Sequence, residues 1–371
     1  MDVDLTFVDD VPKRFDAIPP KVRPTLWAGS TKRYLGARNA GVISWPDYTS
    51  SYENELGLGE HFQGIQRIRQ HVILSGGVKT GVRRSQLIVI RMGSQNPSGP
   101  WATPRYGFHF KRPCGDDRVI RVVDIDEKNW HAGGIQAVGS IVAIPVYGSA
   151  PGSEIRFFDF ENPEEPVELA DIRLIKPDIA AKAVAMTRLP NDHFIVMVWD
   201  DRVLDFHYSH TTDILAGFRK RPVRVHNETV EGTFQPGGGG QSGRGSYQSI
   251  NFVRDTTGAI YFVAGRNKEK ASPTFHGDDI LDLYKVWWPD QFGEEVRIQF
   301  VKQKKMYCYN QQANFGAGIG IYVDDEQHMF LYSSSHWLHG GNARYNFNEY
   351  SYQENCGDAG PSAGESHAGG L

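Results

Sequence analysis

The sequence is poor in cysteine and begins without a long apolar run. Its three cysteines, Cys114, Cys308 and Cys356, are odd in number, far apart and without a CxxC pair. This spacing argues against a disulfide framework and predicts free thiols or small buried side chains. The first residues, MDVDLTFVDDVPKRF, are acidic and lack an apolar stretch. We therefore expect neither a signal peptide nor a membrane span, and we predict a cytoplasmic protein.

The chain also lacks an excess of charge and the common short signatures of metal sites. It has 40 basic and 44 acidic side chains and a formal net charge of −4, so no global basic field favours nucleic-acid binding. HExxH, CxxC and EF-hand patterns are absent, and no cofactor is implied. Sustained helical periodicity is nearly absent as well, which argues against an all-α fold.

Glycine and aromatic residues are abundant, which is typical of strands joined by tight turns. The chain has 40 glycines among 371 residues, and 12% of its residues are aromatic. Two stretches echo each other: EHFQGIQRI carries His61 and Gly64-Ile65-Gln66, and NWHAGGIQAV carries His131 and Gly134-Ile135-Gln136. The short motif alone would occur by chance, so the residues after each copy decide whether it marks a repeated unit.

Each echo opens a series of four short apolar runs separated by Gly, Pro and Asp. The first series contains HVILSGG, SQLIVIRM and RVIRVVDI, and the second contains SIVAIPVYG, EIRFFDF and PVELADIRLI. The same order recurs three more times. The predicted units start near His61, His131, Lys182, Gln248 and Asn314. Four-stranded repeats of this size, with irregular spacing that places insertions in loops, are typical of propeller blades.

In its strand order the chain resembles five-bladed β-propellers over residues 3–353. The resemblance implies an all-β fold of five four-stranded antiparallel blades, forming one domain over residues 1–353. The fifth unit lacks a fourth strand, and we predict that Val3 to Val8 supplies it and closes the ring. A six-bladed ring, with residues 9–58 as a degenerate blade, is the alternative. Residues 354–371, rich in Gly, Ser and Ala, are expected to be disordered.

Polar residues at the predicted starts of the inner strands suggest a ligand site at the mouth of a central channel. We predict His61 and His131 as catalytic acid or base residues. Convergent polar groups in a concave site are typical of ligand pockets. The ligand-binding candidates at these strand starts are Gln63, Trp130, Lys182, Tyr247, Gln248 and Asn314. The glycines nearby are expected to let the crowded backbones approach one another.

Loops between second and third strands are predicted to surround the same mouth with basic and histidine side chains. From these loops we predict four further ligand contacts, Arg83, Arg266, His336 and His339. Such a rim would attract an anion, and the polar mouth also suits a carbohydrate-like molecule. The expected partner is thus a small polar ligand, with no nucleic acid or membrane. Lyase, isomerase or hydrolase chemistry with a histidine acid or base is the favoured function.

Other interpretations remain open at this point. A metal held by His61, His131 and a third histidine is a minority alternative, and His207 and His210 lie at a spacing that places them on opposite strand faces. Carbohydrate-active propellers place carboxylates at the mouth, and here only Glu60 with Asp200 or Asp201 offers such a pair. A non-enzymatic propeller could instead bind a glycan or protein through surface aromatics. Candidates for that role are Trp101, Tyr106 and Trp337.

Overall fold

The computed structural model describes most of the repeated units found in the sequence. The described residues are 7–22, 37–43, 61–78, 84–91, 118–148, 152–230, 247–267, 279–289, 295–308, 315–324, 327–334 and 345–350. The tail predicted to be disordered, residues 354–371, lies outside them. Within this part of the chain the structure is built almost entirely of strands, as the sequence predicts.

The N-terminal segment contains one short helix and three strands. They are β1 (Phe7–Val8), α1 (Val11–Ala17), β2 (Lys21–Val22) and β3 (Ala37–Ile43). The helix begins after Asp10, whose side chain accepts a hydrogen bond from the Lys13 backbone amide at 3.0 Å. This N-cap and the proline at position 12 fix where the helix starts.

Four-stranded units follow in the order that the sequence predicts. Sheet 1 consists of β4 (His61–Ile68), β5 (His71–Val78), β6 (Arg84–Arg91) and β7 (Arg118–Asp126). Sheet 2 consists of β8 (His131–Ala132), β9 (Gln136–Val138), β10 (Ile141–Tyr147), β11 (Ser153–Asp159), β12 (Val167–Glu168) and β13 (Leu174–Lys176). In sheet 2 the inner strand is divided into β8 and β9, and the outer strand into β12 and β13.

The remaining three sheets repeat the same antiparallel order. Sheet 3 consists of β14 (Ala183–Arg188), β15 (Phe194–Trp199), β16 (Val203–Tyr208) and β17 (Val223–His226). Sheet 4 consists of β18 (Ser249–Asp255), β19 (Ile260–Asn267), β20 (Asp279–Trp287) and β21 (Arg297–Cys308), and the short strands β1 and β2 pair in parallel with its two edges. Sheet 5 consists of β22 (Ile319–Val323), β23 (Met329–Ser334), β24 (Tyr345–Tyr350) and the N-terminal strand β3. Short 3-10 helices occupy Ala170–Ile172, Ile214–Ala216 and Asn227–Thr229.

The sheets are arranged as a β-propeller, with their first strands around a common axis. Strand β4 contacts β8 and β9, β9 contacts β14, β14 contacts β18, β18 contacts β22, and β22 contacts β4 again. Alternate residues of one strand enter opposite apolar seams: Val72 and Leu74 pack against sheet 5, whereas Ile73 packs against sheet 2. Five separate apolar clusters fill the seams between neighbouring sheets. Sheets buried on both faces explain the continuous apolar runs in the sequence.

The prediction that Val3 to Val8 closes the last sheet is wrong. The outer neighbour of β24 is β3, paired antiparallel, whereas Phe7–Val8 pairs in parallel with the end of β18. The physical reason is the spacing of the apolar residues Val8, Val11, Phe15 and Ile18, which suits a helix entry and not a strand. All four are buried between sheets 4 and 5. The described part of residues 9–58 joins sheets 4 and 5 and forms no sixth sheet.

Candidate functional site

The inner strands approach one another so closely that backbone fills the axis. The Gly134 amide donates to the Lys182 carbonyl at 2.9 Å, and the Val184 amide donates to the Gly134 carbonyl at 2.9 Å. A Cβ atom on Gly134 would lie 2.3 Å from the Gln248 carbonyl oxygen. Only glycine fits there, as the sequence predicts for crowded inner strands. At the depth of Gly134 the expected open channel is therefore replaced by direct contact between strands.

Amide side chains complete this closure and explain the echo in the sequence. The side-chain amide of Gln66 donates to the Ile321 carbonyl at 2.5 Å, and the side-chain oxygen of Asn251 accepts from the Ile321 amide at 2.6 Å. Gln136, at the position matching Gln66 in the second echo, bonds in the same way to the inner strands of sheets 3 and 4. The Gly-Ile-Gln repeats thus mark equivalent inner strands, and their glutamines satisfy backbone groups that face the axis.

His131 lies at the mouth, the end of the axis at which the inner strands begin. It is the first residue of β8 and pairs in register with Tyr147, the last residue of β10. The Tyr147 hydroxyl lies 3.3 Å from His131 Nε2, and the two ring centroids are 4.2 Å apart. The Trp130 ring meets the His131 ring edge-on at 4.9 Å. His131 is buried, so these two aromatic rings define its orientation.

An ion pair from the next sheet stands beside this aromatic group. Lys182 Nζ contacts the Asp201 carboxylate, and the two side chains are 29% and 47% exposed. Burial raises the pKa of Tyr147, and the nearby Asp201 carboxylate raises it further. Tyr147 is therefore a neutral hydroxyl that contacts a histidine and lies near a carboxylate. We refer to Trp130, His131, Tyr147, Lys182 and Asp201 as the mouth cluster.

Two predicted ligand residues, Gln63 and Gln248, lie against the same crowded end of the axis. The Gln63 carbonyl accepts from the Ser249 hydroxyl at 3.1 Å, which joins sheets 1 and 4 next to Gln248. Gln63 is buried and Gln248 is half-buried. The side-chain oxygen of each is buried without a hydrogen-bond partner. Both amides therefore retain acceptor capacity, which a hydroxyl-bearing ligand or an ordered water would satisfy.

Tyr247 and Arg266 are placed elsewhere, inside sheet 4. The Tyr247 hydroxyl contacts the Asp282 carboxylate at 2.8 Å and the Tyr284 hydroxyl at 2.7 Å. Arg266 Nε donates to the Asp282 carboxylate at 2.6 Å. The prediction that Arg266 lies in a rim loop is wrong, because it belongs to β19 and pairs with Ile280. Tyr247 is fully buried, and we assign both residues a structural role.

Several other predictions lie outside the described residues. The backbone of His61 begins β4 opposite Gly77, which confirms it as the counterpart of His131 at the start of an inner strand, but its side chain is not described. Nothing is described for the remaining predicted site residues Arg83, Asn314, His336 and His339. The same holds for the surface aromatics Trp101, Tyr106 and Trp337 and for Glu60.

The described residues give little support to a catalytic carboxylate pair or to a histidine metal site. Asp200 is buried, and its carboxylate accepts from the Arg202 and Ala180 backbone amides at 2.9 and 3.2 Å, which stabilises the loop itself. His207 is buried and His210 is exposed, so the two do not share a site. No group of three His, Cys, Asp or Glu side chains suited to a metal ion occurs in the described ranges. Within the same ranges, no helix is both long and apolar enough to cross a bilayer.

Tyr147 is the mouth residue that the sequence interpretation missed. The register of the hairpin that joins β9 to β10 could have indicated that Tyr147 lies near His131. Counting outward from the Val138–Ile141 pair places Tyr147 opposite Ala132, and a one-residue shift between β9 and β8 makes His131 its partner. The register set by the turn thus brings Tyr147 within one residue of His131, and the shift between β9 and β8 decides the final pair.

Comparison with known proteins gives a likeness of fold and no family. No family model matches the sequence, and no curated protein matches it significantly. Among solved structures, an exo-1,5-alpha-L-arabinanase from a bovine ruminal metagenomic library is 8% identical, with a TM-score of 0.39 over 78% of this chain and 93% of that one. A Penicillium chrysogenum alpha-L-arabinanase complexed with arabinobiose is also 8% identical, with a TM-score of 0.41 over 85% and 98% of the two chains.

A third similar structure is AofleA from Arthrobotrys oligospora, 9% identical, with a TM-score of 0.39 over 88% of this chain and 91% of that one. Identities and TM-scores this low carry no functional argument. The propeller assignment depends on the strand order, the ring of inner strands and the apolar seams of the chain itself.

Proposed function

We propose that this propeller binds a small, hydroxyl-rich, carbohydrate-like ligand at the mouth cluster. The observation that carries the proposal is the contact between His131 and Tyr147 beside the Lys182–Asp201 ion pair. It brings a histidine, a phenol, an ammonium and a carboxylate from two sheets to the same end of the axis. Convergent polar groups beside aromatic rings are typical of small-molecule sites.

Each member of the mouth cluster has a distinct role in such binding. The half-buried Trp130 and Tyr147 rings offer apolar faces for the C–H surface of a sugar ring. Lys182 and Asp201 offer a donor and an acceptor to ligand hydroxyls. The side-chain oxygens of Gln63 and Gln248, buried at the same end of the axis, are acceptors for an ordered water below the ligand. This combination suits a neutral polyol, whose hydroxyls both donate and accept hydrogen bonds.

We further propose that His131 transfers protons in a reaction on the bound ligand. Its Nε2 atom lies 3.3 Å from the Tyr147 hydroxyl, so the two groups form a long hydrogen bond whose donor depends on the histidine tautomer. A histidine held beside a neutral phenol suits a general acid or base for lyase, isomerase or hydrolase chemistry. The Lys182 ammonium would stabilise a developing oxyanion from the neighbouring sheet.

We also infer that the propeller has five blades. Five described sheets, joined by contacts between inner strands in cyclic order and by five apolar seams, support this count. Strand β3 provides the outer strand of the fifth sheet, so residues from the start of the chain complete the last blade.

Titration calorimetry with a panel of neutral mono- and disaccharides and their uronic acids tests the proposed function. At least one sugar should bind, and His131→Ala should weaken that binding about tenfold or more, since a central polar contact is lost. The matched control is His210→Ala, because His210 is an exposed histidine on sheet 3 outside the mouth cluster.

Thermal unfolding of both variants establishes that they fold, and His131→Gln provides a second variant of similar polarity. Binding of no sugar in the panel contradicts the proposed function. Equal binding by the wild type and both His131 variants also contradicts it. Catalysis is tested separately by following turnover of any bound oligosaccharide, which should disappear in His131→Gln.

A further inference from the structure

Cations in or next to the loops at the mouth are paired with carboxylates where the structure describes them. Arg84, at the start of β6, lies 3.4 Å from Asp124, and Arg202, in the loop between β15 and β16, lies 3.3 Å from Asp200. Lys182 contacts Asp201 in the same way. The basic rim that would favour an anionic ligand is therefore neutralised in the described part of the mouth.

Among these carboxylates, Asp201 is the one that belongs to the mouth cluster and sets its charge. It pairs with Lys182, the one cation of the mouth cluster, and it is close enough to Tyr147 to raise the pKa of that phenol. The adjacent Asp200 is buried and holds its own loop. An anion entering beside Tyr147 would thus meet the half-exposed Asp201 carboxylate, which already pairs with the Lys182 ammonium group.

We infer that Asp201 makes the mouth cluster select an uncharged, hydroxyl-bearing ligand over the corresponding carboxylate. This inference rests on the proposed function, because it assigns the ligand class of the same site. A neutral sugar donates a hydroxyl to Asp201 and accepts a hydrogen bond from Lys182 without breaking the ion pair. A uronate gains Lys182 only by displacing Asp201, and like charges placed side by side oppose binding.

Matched ligand pairs test the selectivity directly. Glucose is compared with glucuronate, and galactose with galacturonate, by titration calorimetry at low ionic strength, where charge effects are largest. The wild type should bind the neutral member of at least one pair about tenfold more tightly than its uronate. Asp201→Asn keeps the shape and removes the charge, so it should shift the ratio toward the uronate about tenfold or more.

The control is Asp192→Asn, which removes an exposed carboxylate of the Arg188–Asp192 pair in the hairpin at the opposite end of sheet 3. It should leave the ratio unchanged. If the wild type binds a uronate as tightly as its neutral sugar, or if Asp201→Asn leaves the ratio unchanged, the inference is overturned while the proposed function stands. If neither kind of sugar binds, both are overturned.

Discussion

Gln136 and Phe252 are joined by a pair of hydrogen bonds across the propeller axis although 116 residues separate them. The side-chain amide of Gln136 donates to the Phe252 carbonyl at 2.8 Å, and its oxygen accepts from the Phe252 amide at 2.8 Å. The same oxygen accepts from the Met186 amide at 2.9 Å. One side chain of sheet 2 therefore satisfies backbone groups of the inner strands of sheets 3 and 4.

Replacing Gln136 with methionine should destabilise the protein strongly. The change keeps the length of the side chain but leaves three buried backbone groups of Met186 and Phe252 without partners. Each unsatisfied group costs about 1–3 kcal/mol, so we expect a loss of about 3 kcal/mol or more in the free energy of unfolding. Urea denaturation measures it. The same substitution at the exposed Gln299 of β21 should cost less than about 0.5 kcal/mol.

The N-terminal helix should contribute strongly to the stability of the ring. Phe15 is fully buried between sheets 4 and 5 with Val11 and Ile18. Lys304 of β21 donates to the Phe15 carbonyl at 3.3 Å and so binds the end of the helix to sheet 4. Phe15→Ala should lower the free energy of unfolding by about 3–5 kcal/mol, as in other large-to-small core changes.

Lys13→Ala is the matched control for that change, because Lys13 is exposed on the same short helix. It should change the free energy of unfolding by less than about 0.5 kcal/mol. Similar stabilities for Phe15→Ala and the wild type would show that the helix does not hold sheets 4 and 5 together.

The strand order was predictable because it depends on local patterns. Apolar runs bounded by Gly, Pro and Asp locate the strands of the middle units, and the inner strands begin at His61, His131, Ala183 and Ser249, at or next to the predicted starts. The closing strand was not predictable in this way. Ala37–Ile43, with the sequence ARNAGVI, has only weak alternation, and its pairing with β24 depends on which sheet edge is left free by the rest of the ring.

The roles of individual side chains at the mouth were less accessible from the sequence. Tyr247 and Gln248 are adjacent, yet one is fully buried against Asp282 and the other is half-buried at the axis. Successive side chains of an extended chain point to opposite sides, and which side faces the seam depends on the three-dimensional position of the neighbouring sheet. Strand position alone therefore could not separate the structural tyrosine from a ligand-facing residue.

A buried histidine at the boundary of sheets 2 and 3 should make stability depend on pH. Lys176 contacts Asp205, and its Nζ atom lies 3.3 Å from His207 Nε2, while His207 Nδ1 lies 2.9 Å from the Arg219 carbonyl. These contacts require a neutral ring with its proton on Nδ1. Burial lowers the pKa of His207 to about 4, and the Lys176 cation acts in the same direction.

The direction of this pH dependence follows from proton uptake by the unfolded chain. An unfolded histidine has a pKa of about 6.5, so between pH 6.5 and 4 the unfolded state binds a proton that His207 in the folded state does not. Stability should therefore be full above about pH 6.5 and should fall by about 2–3 kcal/mol as the pH decreases to about 4. The pKa of His71 is also lowered, chiefly by burial, and adds in the same sense.

Urea denaturation at pH 7.0 and 5.0 measures this dependence. His207→Gln cannot take up a proton, so the difference in unfolding free energy between the two pH values should shrink relative to the wild type. His210→Gln, a change at an exposed histidine of the same sheet, should keep the wild-type difference. An unchanged pH dependence in His207→Gln would show that His207 titrates alike in both states.

Removing the Tyr147 hydroxyl should weaken ligand binding without affecting the fold. Tyr147→Phe keeps the ring beside His131 but removes the contact with its Nε2 atom. The change also removes a hydrogen bond that the phenol would make to the ligand, and one neutral hydrogen bond contributes about 0.5–1.5 kcal/mol, so the Kd for a neutral sugar should rise roughly three- to tenfold. Because the pKa of Tyr147 is raised by burial and by Asp201, wild-type binding should show no loss from phenol ionisation up to about pH 10.

Calorimetric titration of the wild type and of Tyr147→Phe at pH 7 and 9.5 measures both effects of the phenol. Tyr261→Phe, in β19 and outside the mouth cluster, is the control and should bind as the wild type does, because its hydroxyl belongs to a different part of the ring. A Kd unchanged by Tyr147→Phe would remove the phenol from the ligand site and leave it as a structural partner of His131.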